Sequence, residues 1–252
     1  QEDAYQSWET RLEFIQSFRP RRRDVLNLGV AFGDINVVKR SPEAGGAPDN
    51  DGRLLELWLD SKWDRTDDPL FPTRGGYVNL AMTVSPPGLL SETPYTSVQV
   101  DVARFVQVLD SAIATARTRL GWARPLGDAQ EILPNRRLYA GGYNTMRGYP
   151  RRRLGPYDSA GNPLGGRVVA LASAELRFPL FWIIDGALFV DSGRVWAEPR
   201  DVTFADWAVA VGWDIDFRTP LGPLRVGYAR NVANLIRDED RTFWHFGIGY
   251  PW

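Results

Sequence analysis

The run W-A-V-A-V-G-W-D-I-D-F, from Trp207 to Phe217, decides the fold. Trp207, Val209, Val211, Trp213, Ile215 and Phe217 fall on one side; Ala208, Ala210, Gly212, Asp214 and Asp216 fall on the other. Strict alternation over this length predicts a β-strand with one apolar face. The other face carries carboxylates, which a dry core does not tolerate unpaired. A strand that is apolar outward and polar inward is the pattern of a transmembrane β-barrel. No apolar run is long enough for a membrane helix, and that leaves the β route across a bilayer open.

The same period extends in both directions. Strands are predicted at Tyr5–Phe18, Val25–Val37, Arg53–Arg65, Gly76–Val84, Tyr95–Val108, Ala112–Trp122, Arg167–Phe178, Gly186–Trp196, Trp207–Arg218, Gly222–Arg230 and Arg241–Trp252. In Arg53–Arg65, Leu55, Leu57 and Leu59 point outward while Glu56, Trp58, Asp60 and Lys62 point inward. In Tyr95–Val108, Val98, Val100, Val102, Val106 and Val108 oppose Gln99, Asp101 and Gln107. Tryptophans near the ends of apolar faces read as an aromatic girdle. The fold class is therefore all-β, a transmembrane antiparallel barrel over residues 1–252.

Connections alternate in length. Short ones follow the first, third, fifth, seventh and ninth strands, and longer ones, such as the Gly/Pro-rich Lys39–Gly52, follow the even-numbered strands. Outer-membrane barrels keep short turns on the periplasmic side, so the last strand runs toward the periplasm and so does the first. An odd count of eleven conflicts with the even numbers of bacterial barrels. The expectation is a carboxy-terminal portion of a longer barrel, with a complete barrel of about twelve strands as the alternative.

The longest connection, Arg124 to Gly166, has neither period. A loop this long is functional or disordered, and its aromatics and paired glycines argue against disorder. At its centre stands L-Y-A-G-G-Y-N-T-M-R-G-Y, Leu138 to Tyr149, with one cation, Arg147, among Gly141, Gly142 and Gly148. Downstream, A-E-L-R-F-P carries Glu175 and F-V-D-S-G carries Asp191.

With M-R-G-Y, the strand glutamate and F-x-D in place, the chain resembles the outer-membrane assembly superfamily of BamA, TamA and the two-partner secretion transporters. D-R-T-D-D-P-L-F-P-T-R-G, opening at Asp64 or Asp67 and closing at Gly75, is a second family-like stretch. The resemblance implies that loop 124–166 folds into the lumen and that Arg147, Gly148 and Tyr149 form a clamp with Glu175 and Asp191. Met146 stands where the family usually has Val or Ile. The resemblance further implies a sixteen-stranded plan, of which eleven strands are seen here. A guanidinium deep in a barrel would be costly unless carboxylates met it in bidentate geometry.

The final strand ends H-F-G-I-G-Y-P-W, and His245, Gly247, Tyr250 and Trp252 look like the terminal recognition signal of outer-membrane barrels. His245 is the sole histidine. It is read as a wall-lining residue, because no G-x-S-x-G or other triad context surrounds it. Asp64, Asp67 and Asp68 are read as solvated turn residues instead of a cation site. There is no cysteine, so no disulfide or thiolate metal site can form. With a net charge of −1 the chain does not look like a nucleic-acid binder. The clusters Arg21–Arg23 and Arg151–Arg153 are read as headgroup-facing or solvated. No enzyme, cofactor or metal is expected.

The function implied by the resemblance is insertion or translocation of β-rich clients at the bacterial outer membrane, without ATP, through a lateral strand seam. The alternatives are a secretion pore and a passive barrel anchoring a fused or partner domain. Implied partners are the lipid bilayer, unfolded outer-membrane or secreted proteins, and accessory lipoproteins or periplasmic domains.

Overall fold

A computed structural model describes residues 5–39, 52–88, 90–109, 111–220, 222–234, 236 and 241–249. Among these residues the chain forms one antiparallel sheet of 11 strands in sequence order. They are β1 (Tyr5–Phe18), β2 (Val25–Lys39), β3 (Gly52–Asp64), β4 (Gly75–Ser85), β5 (Tyr95–Gln107), β6 (Ile113–Pro125), β7 (Val168–Phe181), β8 (Ile184–Trp196), β9 (Ala208–Thr219), β10 (Gly222–Ala233) and β11 (Thr242–Ile248). Helical structure among the described residues is confined to two single 3-10 turns, Pro134–Arg136 and Pro199–Asp201.

A membrane dictates this meander. In hydrocarbon every backbone N–H and C=O must be paired within the protein, and a ladder of neighbouring strands does that. The pairing is in register along most of the sheet, with shifts at Pro179/Phe181 and Asn231/Ala233. Among the described residues β1 pairs only with β2 and β11 only with β10, so no ladder joins the first and last strands.

Alternation sorts the two faces as the period requires. Val190 and Leu188 are 46% and 54% exposed on the convex face, whereas Asp191 and Phe189 beside them are 2% and 3% exposed on the concave one. The expected girdle differs in detail. Trp213 lies in mid-strand and meets Trp244 edge-on at 5.8 Å, with Tyr228 at 5.2 Å from Trp244, forming an aromatic row across β9–β11. Its height follows from register, since Trp213, Tyr228 and Trp244 are direct cross-strand neighbours. Tryptophan spacing along one strand does not reveal that height.

The loop after β6 is folded into the concavity. Ala140, Met146, Tyr149 and Leu154 from the loop share one buried cluster with Val169 and Leu171 of β7, Val195 of β8, and Ala208 and Ala210 of β9. Met146 is therefore an apolar plug residue. Isolated bridges Leu138 with Gly166, Gly142 with Met146, and Tyr157 with Pro163 give the loop internal structure. Arg152 of the Arg151–Arg153 triplet stacks on Tyr139 at 4.9 Å, so this part of the triplet serves the loop instead of facing headgroups.

On the short-turn side, carboxylates organise the β3–β4 connection. Asp67 accepts hydrogen bonds from the Thr73 and Arg74 amides at 2.9 and 3.0 Å, and Asp68 accepts from Leu70 and Phe71. Arg177 of β7 reaches across to the Pro72 carbonyl at 2.6 Å. Residues 40–51, Tyr250 and Trp252 lie outside the described residues, so the predicted Lys39–Gly52 loop and half of the terminal signal are not placed.

Candidate functional site: an arginine clamp inside the barrel

Three strands aim acids at one point because their inward positions are set by alternation. Glu175 on β7, Asp191 on β8 and Asp214 on β9 all fall on the concave face. The loop delivers Arg147 to this point, where it is 2% exposed. Its Nε and Nη2 hold Asp191 Oδ2 and Oδ1, each at 2.8 Å, in a fork that matches the carboxylate. Nη1 donates to Glu175 Oε2 at 2.6 Å and to Asp214 Oδ2 at 2.9 Å. Nη2 also meets Ser173 Oγ at 3.2 Å, and the Arg147 backbone N–H donates to Asp191 Oδ2 at 2.9 Å. One guanidinium face lies 3.5 Å from the Phe189 ring centroid, a cation–π contact.

A second arginine adds positive charge to the cluster. Arg225 of β10 is 0% exposed, holds Glu175 at 2.9 and 3.0 Å, and holds Asp216 at 2.5 and 2.6 Å. His245 Nε2 lies 2.5 Å from Asp214 Oδ1. Four carboxylates thus face two guanidiniums and one imidazole. Such a cluster is tolerated in a desolvated place only when every charge is hydrogen-bonded. Register builds it: Asp216 sits opposite Arg225, and Gly227 sits opposite both Asp214 and His245. A Cβ at Gly227 would lie 2.0 Å from Asp214 Oδ1 and 2.5 Å from His245 Nε2, so the missing side chain is what lets these two meet.

Gly148 and Tyr149 follow Arg147 into the wall. Gly148 adopts φ +102°, and a Cβ there would meet Asn231 Oδ1 at 2.6 Å and Ala210 Cβ at 2.9 Å. Its carbonyl accepts from Asn231 Nδ2 at 2.7 Å. Tyr149 is fully buried in the loop–wall cluster. The structure thus brings together Arg147, Glu175 and Asp191, and packs Gly148 and Tyr149 beside them.

Of the terminal signal, His245 joins the acid cluster, while Gly247 leaves room for the ring of Tyr143, whose Cε1 would be 2.3 Å from an added Cβ. The Tyr143 hydroxyl donates to the Gly249 carbonyl at 2.5 Å, tying loop to β11.

Sequence reasoning passed over Asp214, Asp216 and Arg225 as clamp members, although their inward parity was readable. It also missed a second anchor. Arg136 Nε donates to Glu56 Oε1 of β3 and Nη2 to Glu9 Oε1 of β1, both at 2.7 Å. Arg117 and Arg119 of β6 converge on Asp101 of β5, and Arg117 Nη1 donates to the Asn144 carbonyl of the loop at 2.9 Å. The inward Arg and Glu residues were the available signal, but only register and loop path pair them.

The Omp85 superfamily domain matches residues 7–252. The outer membrane protein assembly factor BamA of Neisseria meningitidis serogroup B is 27% identical over 219 residues, covering 74% of this chain and 27% of that protein. The chloroplastic outer envelope protein 80 of Arabidopsis thaliana is 29% identical over 126 residues, covering 46% of this chain and 15% of its own length. In shape, the chain resembles the crystal structure of BamA from Haemophilus ducreyi lacking POTRA domains 1–3, with a TM-score of 0.81 at 18% identity, over 98% of this chain and 55% of that one. The chain thus spans about a quarter of the length of the Neisseria relative.

Proposed function

Since the chain belongs to the Omp85 superfamily and forms an outer-membrane β-barrel sheet, we propose that it works in inserting β-rich client proteins into the outer membrane, without ATP. The observation that carries this reading is the terminal strand β11 set against a loop that is itself fixed to the wall. β11 is laddered to β10, and the loop holds its end through Tyr143 and Gly249. As one side of a lateral seam, such a strand would offer an edge of N–H and C=O groups that templates an incoming strand. The role of Arg147, Glu175, Asp191, Asp214 and Arg225 is to fix the wall behind that edge. Unfolded outer-membrane proteins are the clients, and periplasmic domains or accessory lipoproteins deliver them.

Insertion is favoured over passage through the lumen because the loop fills the concavity. Met146, Tyr149 and Leu154 are at most 1% exposed, and a client crossing there would have to displace them. The test is a disulfide cross-link. The intact protein carrying Phe246→Cys on β11 is reconstituted with a client bearing single cysteines in its first or last strand. Cross-links that follow one register and appear during client folding support the reading. Parallel variants carry the single cysteine on the lumen side instead, at Gln99 or Asn144; cross-links from these, with none from Phe246→Cys, refute it.

A further inference from the structure

The β7–β8 hairpin turns on the short-connection side, yet its tip is apolar. It reads L-F-W-I-I from Leu180 to Ile184, whereas the β1–β2 connection on the same side reads R-P-R-R-R-D. Leu180, Phe181, Trp182 and Ile183 are 54%, 72%, 84% and 41% exposed. The backbone is specialised to present them. A register shift between Pro179 and Phe181 marks a bulge, which re-aims side chains at a sheet edge. Trp182 takes φ +47°, a left-handed turn position that favours Gly or Asn over a bulky ring. Leu180 lies over Gly186, whose added Cβ would be 3.1 Å from its Cδ1, whereas Phe181 and Trp182 stand largely exposed.

The tip continues the lipid-facing wall. Phe181 lies opposite Ile184, Ile184 opposite Phe217, Phe217 opposite Leu224, and Leu224 opposite Ile248, giving one apolar row across β7–β11. Strand β8 has 13 residues. At about 3.3 Å per residue and a tilt near 40° it climbs about 30 Å, against an apolar band of about 25 Å. With Ile184 still in the apolar row, the excess lets the tip beyond it reach headgroup depth on the short-turn, periplasmic side. That is where the amphipathic indole is enriched.

We propose that Leu180–Ile183 is an interfacial anchor, seated in the headgroup–acyl boundary of the periplasmic leaflet with phospholipid as its occupant. It sets the vertical position of the β7–β8 wall that carries Glu175 and Asp191. This holds whether or not the barrel inserts clients.

The chain has no cysteine, so Ile183→Cys gives one labelling site in it. An environment-sensitive fluorophore is attached there and the protein is reconstituted alone in phosphatidylethanolamine–phosphatidylglycerol vesicles. The expected result is strong quenching by lipids carrying a nitroxide at a shallow acyl position, weak quenching from the bilayer centre, and protection from aqueous iodide. Trp182→Gly suits the turn's backbone, so the hairpin persists; in that background shallow quenching should fall while heat-modifiability is unchanged. Free access of iodide in protein-only vesicles overturns the proposal. So does protection that appears only when a second protein is added, which would make the tip a protein-docking surface. Leu180→Cys repeats the measurement if Ile183→Cys does not fold.

Discussion

Replacing Arg147 by alanine removes five side-chain hydrogen bonds, to Asp191 twice, Glu175, Asp214 and Ser173. The three acids are not equally harmed. Glu175 keeps Arg225, and Asp214 keeps His245. Asp191 loses the fork that faced both its oxygens, while keeping Ser173 Oγ at 2.6 Å and the backbone N–H of residue 147 at 2.9 Å. The cost is therefore that of one buried charge left without its partner, about 3–5 kcal/mol, and not three times that. At about 1.4 kcal/mol per decade, the docked-to-undocked ratio of the loop should fall roughly a hundredfold to a few thousandfold. The ladders of β7, β8 and β9 do not involve Arg147, so the barrel should stay heat-modifiable. Trypsin is the assay, because Arg151, Arg152 and Arg153 lie in the loop just beyond the clamp. When opening is fast relative to cleavage, the cleavage rate tracks the open population and should rise by the same factor. Arg147→Lys should fall between, keeping the charge but not the fork. Adding Asp191→Asn to Arg147→Ala should recover part of the loss by removing the orphaned charge. If Arg147→Ala is cleaved no faster than wild type, or the double variant lies no closer to wild type than the single one, the clamp does not hold the loop.

Gly148→Ala adds a methyl group at φ +102° that meets Asn231 and Ala210, and it should loosen the loop by about 1–3 kcal/mol; faster tryptic cleavage with an intact barrel checks this. Val211→Arg, on the convex face of β9, should cost about 2–4 kcal/mol in urea-unfolding midpoints if it lies at the bilayer centre, and Gln99→Lys on the concave side much less. Equal costs on both faces would reverse the alternation. Asp67 gives a pH prediction outside the membrane. Burial raises its pKa, but the Thr73 hydroxyl and the amides of Arg74, Thr73 and Asp68 outweigh that and hold it well below the usual carboxylate range. A depressed folded pKa contributes stability that is complete above the unfolded value near pH 4 and is lost as pH falls through the folded one. Amide exchange at Thr73 and Arg74 should therefore stay slow at about pH 4 and accelerate only in stronger acid. Asp67→Ala should accelerate it at about pH 4 and above, with the difference from wild type vanishing in stronger acid.

The period-2 pattern made all eleven strands legible, and β1 was bounded to the residue because Phe18 is followed by Arg19, Pro20 and three further arginines. The boundaries that moved did so for tertiary reasons. Strand β6 continues to Pro125 because β5 starts at Tyr95 and offers partners up to that row. The clamp was half legible. Arg147, Glu175 and Asp191 sit in quotable motifs, but Asp214, Asp216 and Arg225 are ordinary inward residues of unremarkable strands. Pairing Arg225 with Asp216 needs the exact register of a hairpin whose turn is two residues long. The Arg136 anchor is further from sequence still, since Glu9 lies 127 positions away and only the loop's path brings them together.

That path sets the order in which the assembly yields. Arg136 grips β1 and β3 through Glu9 and Glu56, and Tyr143 grips β11 through the Gly249 carbonyl. Between these two grips lie only a few residues, which fully extended span no more than about 25 Å. The first and last strands of the described sheet are thus tied to one short piece of loop, and they cannot spread beyond its reach without losing a contact. The two grips differ in strength. A neutral hydroxyl–carbonyl bond contributes about 0.5–1.5 kcal/mol. Arg136 instead meets a nearly buried glutamate with charge-assisted bonds, and pulling Arg147 behind it out of place would leave buried carboxylates without their partner. Under outward strain the Tyr143–Gly249 contact should therefore give before the arginine grips. That uncouples β11 from the loop, while β11 keeps its ladder to β10 and the His245–Asp214 contact. On the proposed insertion reading, an edge that loosens against a wall still held in register accepts a new strand in a defined register, which an edge loosening together with its wall could not do.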